Sequence, residues 1–164
     1  VSGNYDTIIA GMSITAERDE VIDFTQDYFP PSPSVYMGMS GSDVDLEGGV
    51  IAAQTATIQA GYVAESGATL VEFATAEETI SAVQNGEADA VLADGDYLAS
   101  IIAESGGEFA NVGEVSIGGG VGMGIRESDG DLKATMDKAI SSMKDDGSLN
   151  ALIKKWFGND ANTF

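Results

Sequence analysis

Strand-like and helix-like segments alternate through the middle of the chain, and this alternation constrains the fold more than any other feature. The strand-like segments are short and apolar, and they occupy residues 49–53, 69–73 and 88–93. The helix-like segments that follow them occupy residues 57–65, 76–85 and 94–104. A repeated strand–helix order predicts an α/β fold whose sheet is mostly parallel and covered by helices.

Two irregular stretches flank this alternating region. All three prolines lie within residues 30–33, where the backbone must be extended and cannot form a helix. A glycine-rich stretch at 118–120 forms a flexible join on the other side. We therefore predict an inner lobe at 38–113 and an outer lobe built from 1–33 and 117–164. Ligands commonly bind between two such lobes.

The outer segments contain further predicted elements. We expect strands at 7–10 and 120–125, and helices at 129–144 and 149–157. The strand at 7–10 is apolar and has no preceding turn, which is an unusual beginning for a domain. We therefore expect that a further part of the outer lobe precedes this sequence.

The charge is strongly negative and unevenly distributed. The chain of 164 residues has 27 acidic and 7 basic residues, for a net charge of −20. Between Arg18 and Arg126 there are 18 acidic residues and no basic ones. Such a surface repels phosphate backbones and anionic membranes, which argues against nucleic-acid binding. Solubility in a saline habitat and attraction of a cationic partner both remain open as explanations.

Cysteine and histidine are absent from the chain. Their absence excludes disulfides, thiolate nucleophiles, imidazole bases and the commonest zinc ligands. The sequence also contains no cluster with the spacing of metal ligands, so we expect neither a metal nor a cofactor.

Polar residues that follow predicted strands are candidates for ligand contact, because the crevice of an open α/β sheet lies beyond the carboxyl ends of its strands. Four such residues are Ser13, Arg18, Thr57 and Asp94. Arg18 offers a planar fork suited to a carboxylate, and Asp94 offers the opposite charge, suited to an ammonium. An arginine and an aspartate in one cleft would together receive a zwitterion.

Each candidate also has a simpler structural interpretation. Arg18 could pair with a neighbouring acid such as Asp23. Thr57 and Asp94 could each cap a helix, and Thr15 is expected to be a helix cap rather than a ligand contact. Residue types and positions alone leave these alternatives open.

Both ends of the chain resemble one protein family. The string YDTIIAGMSITAER at 5–18, followed by VIDFT at 21–25 and by Tyr28, resembles the signature of the family 3 extracellular solute-binding proteins. These are the polar amino-acid receptors of ABC importers. The closing strings VGMGIR at 121–126 and KWFG at 155–158 are similar to the family's C-terminal pattern.

The resemblance implies a two-lobed, periplasmic-binding-protein-like (type II) α/β fold, with the N-terminal part of the outer lobe missing from this sequence. It also implies a role for each matching residue in binding an amino acid. Arg18 would clamp the ligand's α-carboxylate, and Thr57 would add a second carboxylate contact. Asp94 would take the α-ammonium group. The groups that would contact the ligand head from the first segment are those of Ala10, Gly11 and Ser13.

One departure from the family pattern falls beside a candidate residue. The family often has glycine just after its inner-lobe strand, and this sequence has instead Gln54-Thr55-Ala56-Thr57. The position of Thr57 relative to the family's contact residue therefore depends on how this turn is built.

The resemblance further implies a periplasmic or other extracytoplasmic protein whose precursor has a signal peptide. Its lobes would close on a polar amino acid, and the protein would deliver this ligand to the membrane permease of an ABC transporter. The acidic inner lobe favours a basic ligand such as lysine, arginine or ornithine. We expect a monomer without enzyme activity. Two alternatives stay open, namely an enzyme on the same fold, such as a dehydratase, and the ligand-sensing domain of a membrane receptor.

Overall fold

The computed structural model describes residues 4–159 and 161–164. Residues 1–3 and Asp160, which belong to the predicted outer-lobe segments, lie outside the described residues. The chain divides into two compact units. We call Ser32–Ile117 the central unit, and Val1–Pro31 together with Gly118–Phe164 the terminal unit. None of the helices in the described part of the chain is long and apolar enough to cross a bilayer.

The described residues form eight strands and six helices. The strands are β1 (Thr7–Ile8), β2 (Asp23–Phe24), β3 (Ser34–Met39), β4 (Val50–Gln54), β5 (Thr69–Phe73), β6 (Ala90–Asp94), β7 (Phe109–Val115) and β8 (Gly124–Ile125). The helices are α1 (Ala16–Asp19), α2 (Ile58–Glu65), α3 (Ala76–Gln84), α4 (Gly95–Glu104), α5 (Gly130–Asp145) and α6 (Ser148–Phe157). The elements from β3 to β7 make up the central unit.

The central unit contains a five-stranded sheet with the strand order β5-β4-β6-β3-β7. Strand β4 pairs in parallel with both β5 and β6, as the strand–helix alternation predicts. Strand β3 pairs antiparallel with both β6 and β7. The expectation of a mostly parallel sheet therefore needs correction, because β3 separates β6 from β7 and makes the sheet mixed. Strand β3 enters from the proline-rich stretch without a helical crossover, so the alternation does not determine its direction.

Alternating side chains of the central sheet pack into two hydrophobic clusters. On one face, Val91 of β6 and Met37 of β3 pack with Leu98 of α4 and with residues of α3. In the other cluster, Ile51 and Leu92 pack with Val63 of α2. Both faces of the sheet are therefore covered, which explains why β4 and β6 are apolar in nearly every position.

The terminal unit has a small sheet in which β8 pairs antiparallel with both β1 and β2. Helices α5 and α6 pack on each other through a buried cluster around Ile140 and Ile153. The segment after β2 is fixed to α5, because the Gln26 backbone N–H donates to Asp137 Oδ1 at 2.7 Å. In the last turn of α5, Lys144 Nζ pairs with Asp27 Oδ1 at 2.7 Å.

Two expected strands of the terminal unit are shorter in the structure. The strand predicted at 7–10 ends at Ile8, because the chain bends at Ala10 and Gly11 takes a positive φ of 62°. The strand predicted at 120–125 is reduced to β8, since Val121 forms only isolated bridges to Ser13 and Phe29.

Candidate functional site

The central unit contains a cavity at the carboxyl ends of its parallel strands. Its volume is about 270 Å³, which suits a small molecule. The residues that line it are Gln54, Thr57, Gln59, Ala76, Thr79, Leu92, Ala93, Asp94 and Tyr97. The cavity therefore brings together two of the residues that the sequence singled out, Thr57 and Asp94.

The topology of the sheet places the cavity. Strands β4 and β6 are parallel neighbours, so their last residues, Gln54 and Asp94, lie at the same edge of the sheet. Helices α2, α3 and α4 each begin shortly after a strand that ends at this edge. The first turn of a helix presents backbone N–H groups and the positive end of the helix dipole, which favour a bound anion.

Thr57 acts as the N-cap of α2. Its Oγ1 accepts a hydrogen bond from the backbone N–H of Ala60 at 3.2 Å and donates to the carbonyl of Gln54 at 2.7 Å. The helix-cap interpretation of Thr57 is thus what the structure shows, and the same residue lines the cavity. Its hydroxyl proton is already used within the turn, so the first turn of α2 offers a ligand mainly its backbone N–H groups.

Asp94 occupies the N-cap position of α4, but its side chain makes no cap hydrogen bond. The carboxylate instead accepts a hydrogen bond from Gln59 Nε2 at 2.7 Å. Burial raises the pKa of Asp94, the hydrogen bond from Gln59 lowers it, and the negative charge of Asp96 raises it further. Asp94 is therefore a partly desolvated acid on the cavity wall that is still open to solvent. A cation such as an ammonium group could pair with its carboxylate.

Four polar residues of the cavity were not identified as site residues from the sequence, namely Gln54, Gln59, Thr79 and Tyr97. Gln59 and Thr79 are 5% and 2% exposed. Tyr97 is partly exposed, and its pKa is raised by burial and then by the negative charge of Glu77. One signal for Gln59 was present, because it lies on the buried face of α2 with Ala60 and Val63, where an apolar residue is the ordinary choice.

The other predicted site residues belong to the terminal unit. Arg18 Nη1 donates to the carbonyl oxygen of Ser13 at 2.9 Å, so the structure brings these two residues together. Thr15 caps α1, as expected, by accepting from the Arg18 backbone N–H at 3.2 Å. Ala10 and Gly11 are exposed. The structure thus places the six predicted residues in two groups, four in the terminal unit and two in the central unit.

The sequence matches the family of bacterial extracellular solute-binding proteins, family 3, over residues 1–159. This match covers nearly the whole chain. The chain belongs to this family. Its two-unit α/β fold and the resemblance of its end segments agree with that assignment.

Two curated proteins illustrate the relatives of this chain. A probable histidine-binding protein of Campylobacter jejuni is 29% identical, and the match covers 94% of this chain and 63% of that protein. The lysine/arginine/ornithine-binding periplasmic protein of Escherichia coli is 28% identical, with 93% and 64% covered. The chain thus spans less than two thirds of the length of these curated relatives.

A solved structure is much more similar to this chain. It is a periplasmic His/Glu/Gln/Arg/opine family-binding protein from Silicibacter pomeroyi in complex with lysine. It is 70% identical to this chain, has a TM-score of 0.95, and the match covers 99% of this chain and 74% of that one. This similarity supports the two-lobed periplasmic-binding-protein fold for the family 3 chain.

The turn that leads to Thr57 contains a strained residue. Ala56 has a φ of 62°, and it is the one residue other than glycine with a positive φ among those that the structure describes. The left-handed conformation costs an L-residue with a Cβ about 1–2 kcal/mol. This is the turn where the family often has glycine, so alanine occupies a backbone position suited to glycine.

We predict that Ala56→Gly raises the free energy of unfolding by about 1 kcal/mol, because glycine adopts this φ without strain. Denaturant unfolding followed by circular dichroism measures the change. Ala151→Gly, within α6, is the matched control and should destabilise the protein by about 0.5–1 kcal/mol. A loss of stability in Ala56→Gly would contradict the inference that the backbone of Ala56 is strained.

We predict that Asp94→Asn stabilises the protein at neutral pH. Because the pKa of Asp94 is raised on folding, the folded protein binds this proton more tightly than the unfolded chain. Stability therefore falls as the pH rises from the ordinary aspartate pKa to the raised one. The asparagine variant has no carboxyl group to ionise, so it does not lose stability in this way. Its side-chain oxygen can still accept the hydrogen bond from Gln59.

Thermal unfolding of both proteins across this pH range tests the prediction. The advantage of Asp94→Asn should be largest at neutral pH and should shrink on acidification. Asp43→Asn makes the same change of charge in an exposed loop and serves as the control. A constant difference at all pH values would show that the Asp94 charge does not cause it.

Proposed function

We propose that this protein binds a polar amino acid, with lysine or another basic amino acid as the preferred ligand. The observation that carries the proposal is the 70% identity to a binding protein solved with lysine bound. The curated relatives whose names include lysine, arginine, ornithine or histidine support the same ligand class. The acid on the cavity wall, Asp94, suits the α-ammonium group of an amino acid.

We further propose a role for each predicted site residue. Arg18 clamps the α-carboxylate of the ligand, because a guanidinium and a carboxylate match in geometry and charge. Its hydrogen bond to the Ser13 carbonyl would hold the guanidinium in place. Asp94 receives the α-ammonium, and the first turn of α2 after Thr57 offers the carboxylate further N–H donors. The remaining contacts would come from Ala10, Gly11 and Ser13.

The proposed mechanism is closure of two lobes. The central unit would be the inner lobe, and the terminal unit would belong to the outer lobe. A ligand that contacts groups of both lobes binds the closed state better than the open one. Binding therefore shifts the protein from the open to the closed state. The closed protein would then deliver its ligand to the permease of an ABC importer on the outer side of the membrane. It would act as a monomer and would release the ligand chemically unchanged.

Isothermal titration calorimetry of the full-length protein against the common amino acids tests the ligand class. We expect the strongest binding for lysine, arginine or ornithine, and weaker binding for acidic amino acids. Mass spectrometry of the ligand after incubation should show no conversion. Absence of binding for every amino acid would refute the proposal, and turnover would favour the enzyme alternative.

We predict that Arg18→Ala weakens amino-acid binding by about 2–5 kcal/mol, because the ligand carboxylate loses its charged partner. The control is Lys138→Ala, which removes the same charge from an exposed position on α5. Calorimetry with the best ligand measures both variants. If Arg18→Ala and the unmodified protein bind the ligand with equal affinity, Arg18 does not contact the ligand carboxylate.

A further inference from the structure

A buried amide joins the Asp94 carboxylate to a neighbouring strand. Gln59 lies in the first turn of α2 and is only 5% exposed. Its Nε2 donates to Asp94 Oδ1 at 2.7 Å and to Ser34 Oγ at 3.0 Å. Ser34 is 2% exposed and is the residue of β3 that pairs with Asp94 in the antiparallel register.

These two hydrogen bonds fix the orientation of the Gln59 amide. A primary amide has two N–H donors, and here both hydrogens of Nε2 have partners. The partners belong to neighbouring strands of one sheet, so their separation is set by backbone pairing. The Gln59 side chain therefore cannot rotate without breaking a buried hydrogen bond, which is costly.

The carboxylate of Asp94 has an alternative conformation that this amide opposes. An aspartate at an N-cap position normally turns its carboxylate back onto the first N–H groups of the helix. Asp94 makes no such bond to α4, although it stands at the N-cap position. Its Oδ1 is instead held by Gln59, on the wall of the cavity.

We propose that Gln59 is a positioning residue for ligand binding, which holds the Asp94 carboxylate toward the cavity and away from the N-terminus of α4. The inference rests on the proposed function, because it assigns Gln59 a role in the binding of the ligand's cationic group by Asp94. Gln59 acts through Asp94, and Ser34 in turn fixes the amide of Gln59.

The charges around Asp94 give Gln59 a second effect. Burial and the charge of Asp96 both disfavour the carboxylate, whereas the hydrogen bond from Gln59 favours it and lowers the pKa of Asp94. Two other titratable groups lie on this side of the cavity. Tyr97 lines the cavity, and the charge of Glu77 acts on Tyr97. The central unit has no lysine, arginine or histidine, so only neutral donors of this unit can stabilise the carboxylate.

Calorimetry of lysine binding to the full-length protein tests the inference at neutral and mildly acidic pH. Gln59→Met keeps the length of the side chain and removes the amide, and it should weaken binding about tenfold at neutral pH. The decline of affinity on acidification should also begin at a higher pH than in the unmodified protein. Gln84→Met, at the exposed end of α3, is the matched control and should change neither quantity.

A double-mutant cycle separates positioning from general structural damage. If Gln59 acts through Asp94, Gln59→Met should have little further effect in an Asp94→Asn background. Gln59→Glu provides a second variant should the methionine variant not fold. It should bind weakly at neutral pH because two carboxylates face each other. Affinity should recover in part on acidification, when a shared proton restores the hydrogen bond.

The outcomes for the inference and for the proposed function are distinct. If the unmodified protein binds no amino acid, the proposed function fails. If it binds lysine, and Gln59→Met has the same affinity and pH profile, only the positioning role is overturned. A loss of equal size with and without the Asp94 carboxylate would likewise overturn it, because Gln59 would then act by another route.

Discussion

The double pairing of strand β6 is the constraint on which the candidate site depends. On one side β6 pairs in parallel with β4, so the ends of both strands and the starts of the following helices meet at one edge. On the other side β6 pairs antiparallel with β3, which places Ser34, the first residue of β3, opposite Asp94. Backbone pairing therefore brings together the Asp94 carboxylate, the first turn of α2 and the Ser34 hydroxyl. Side-chain contacts are not needed to place these groups near each other.

This edge of the sheet also contains features that are unfavourable for folding. Desolvation raises the pKa of Asp94, and Ala56 holds a left-handed backbone one residue before Thr57. Each costs stability, and sites of this kind persist where the surrounding structure determines the conformation strongly. Here the apolar clusters packed on both faces of the sheet hold the backbone in place. A strained backbone and a desolvated acid beside one cavity are typical of positions where function outweighs stability.

The sequence predicts the parts of the fold that depend on local pattern. Apolar segments and capping residues identify β4, β5 and β6 and their helices, and the end motifs indicate the family, which is confirmed. The direction of β3 was not predictable, since its partners are remote in sequence. The Gln59 contacts were not predictable for the same reason, because they connect residues 25 and 35 positions apart. The roles of Arg18 and Asp94 in binding stay predictions.

The uneven charge gives the two units different tasks under the proposed function. The central unit contains no basic residue, so it can offer a zwitterionic ligand a carboxylate and neutral N–H donors, but no cation. All seven basic residues belong to the terminal unit, where Arg18 is held by the Ser13 carbonyl. The central unit alone therefore cannot compensate the carboxylate of an amino acid with a basic side chain. Binding energy would then depend on contact with both units, which is the condition for a ligand to stabilise a closed state.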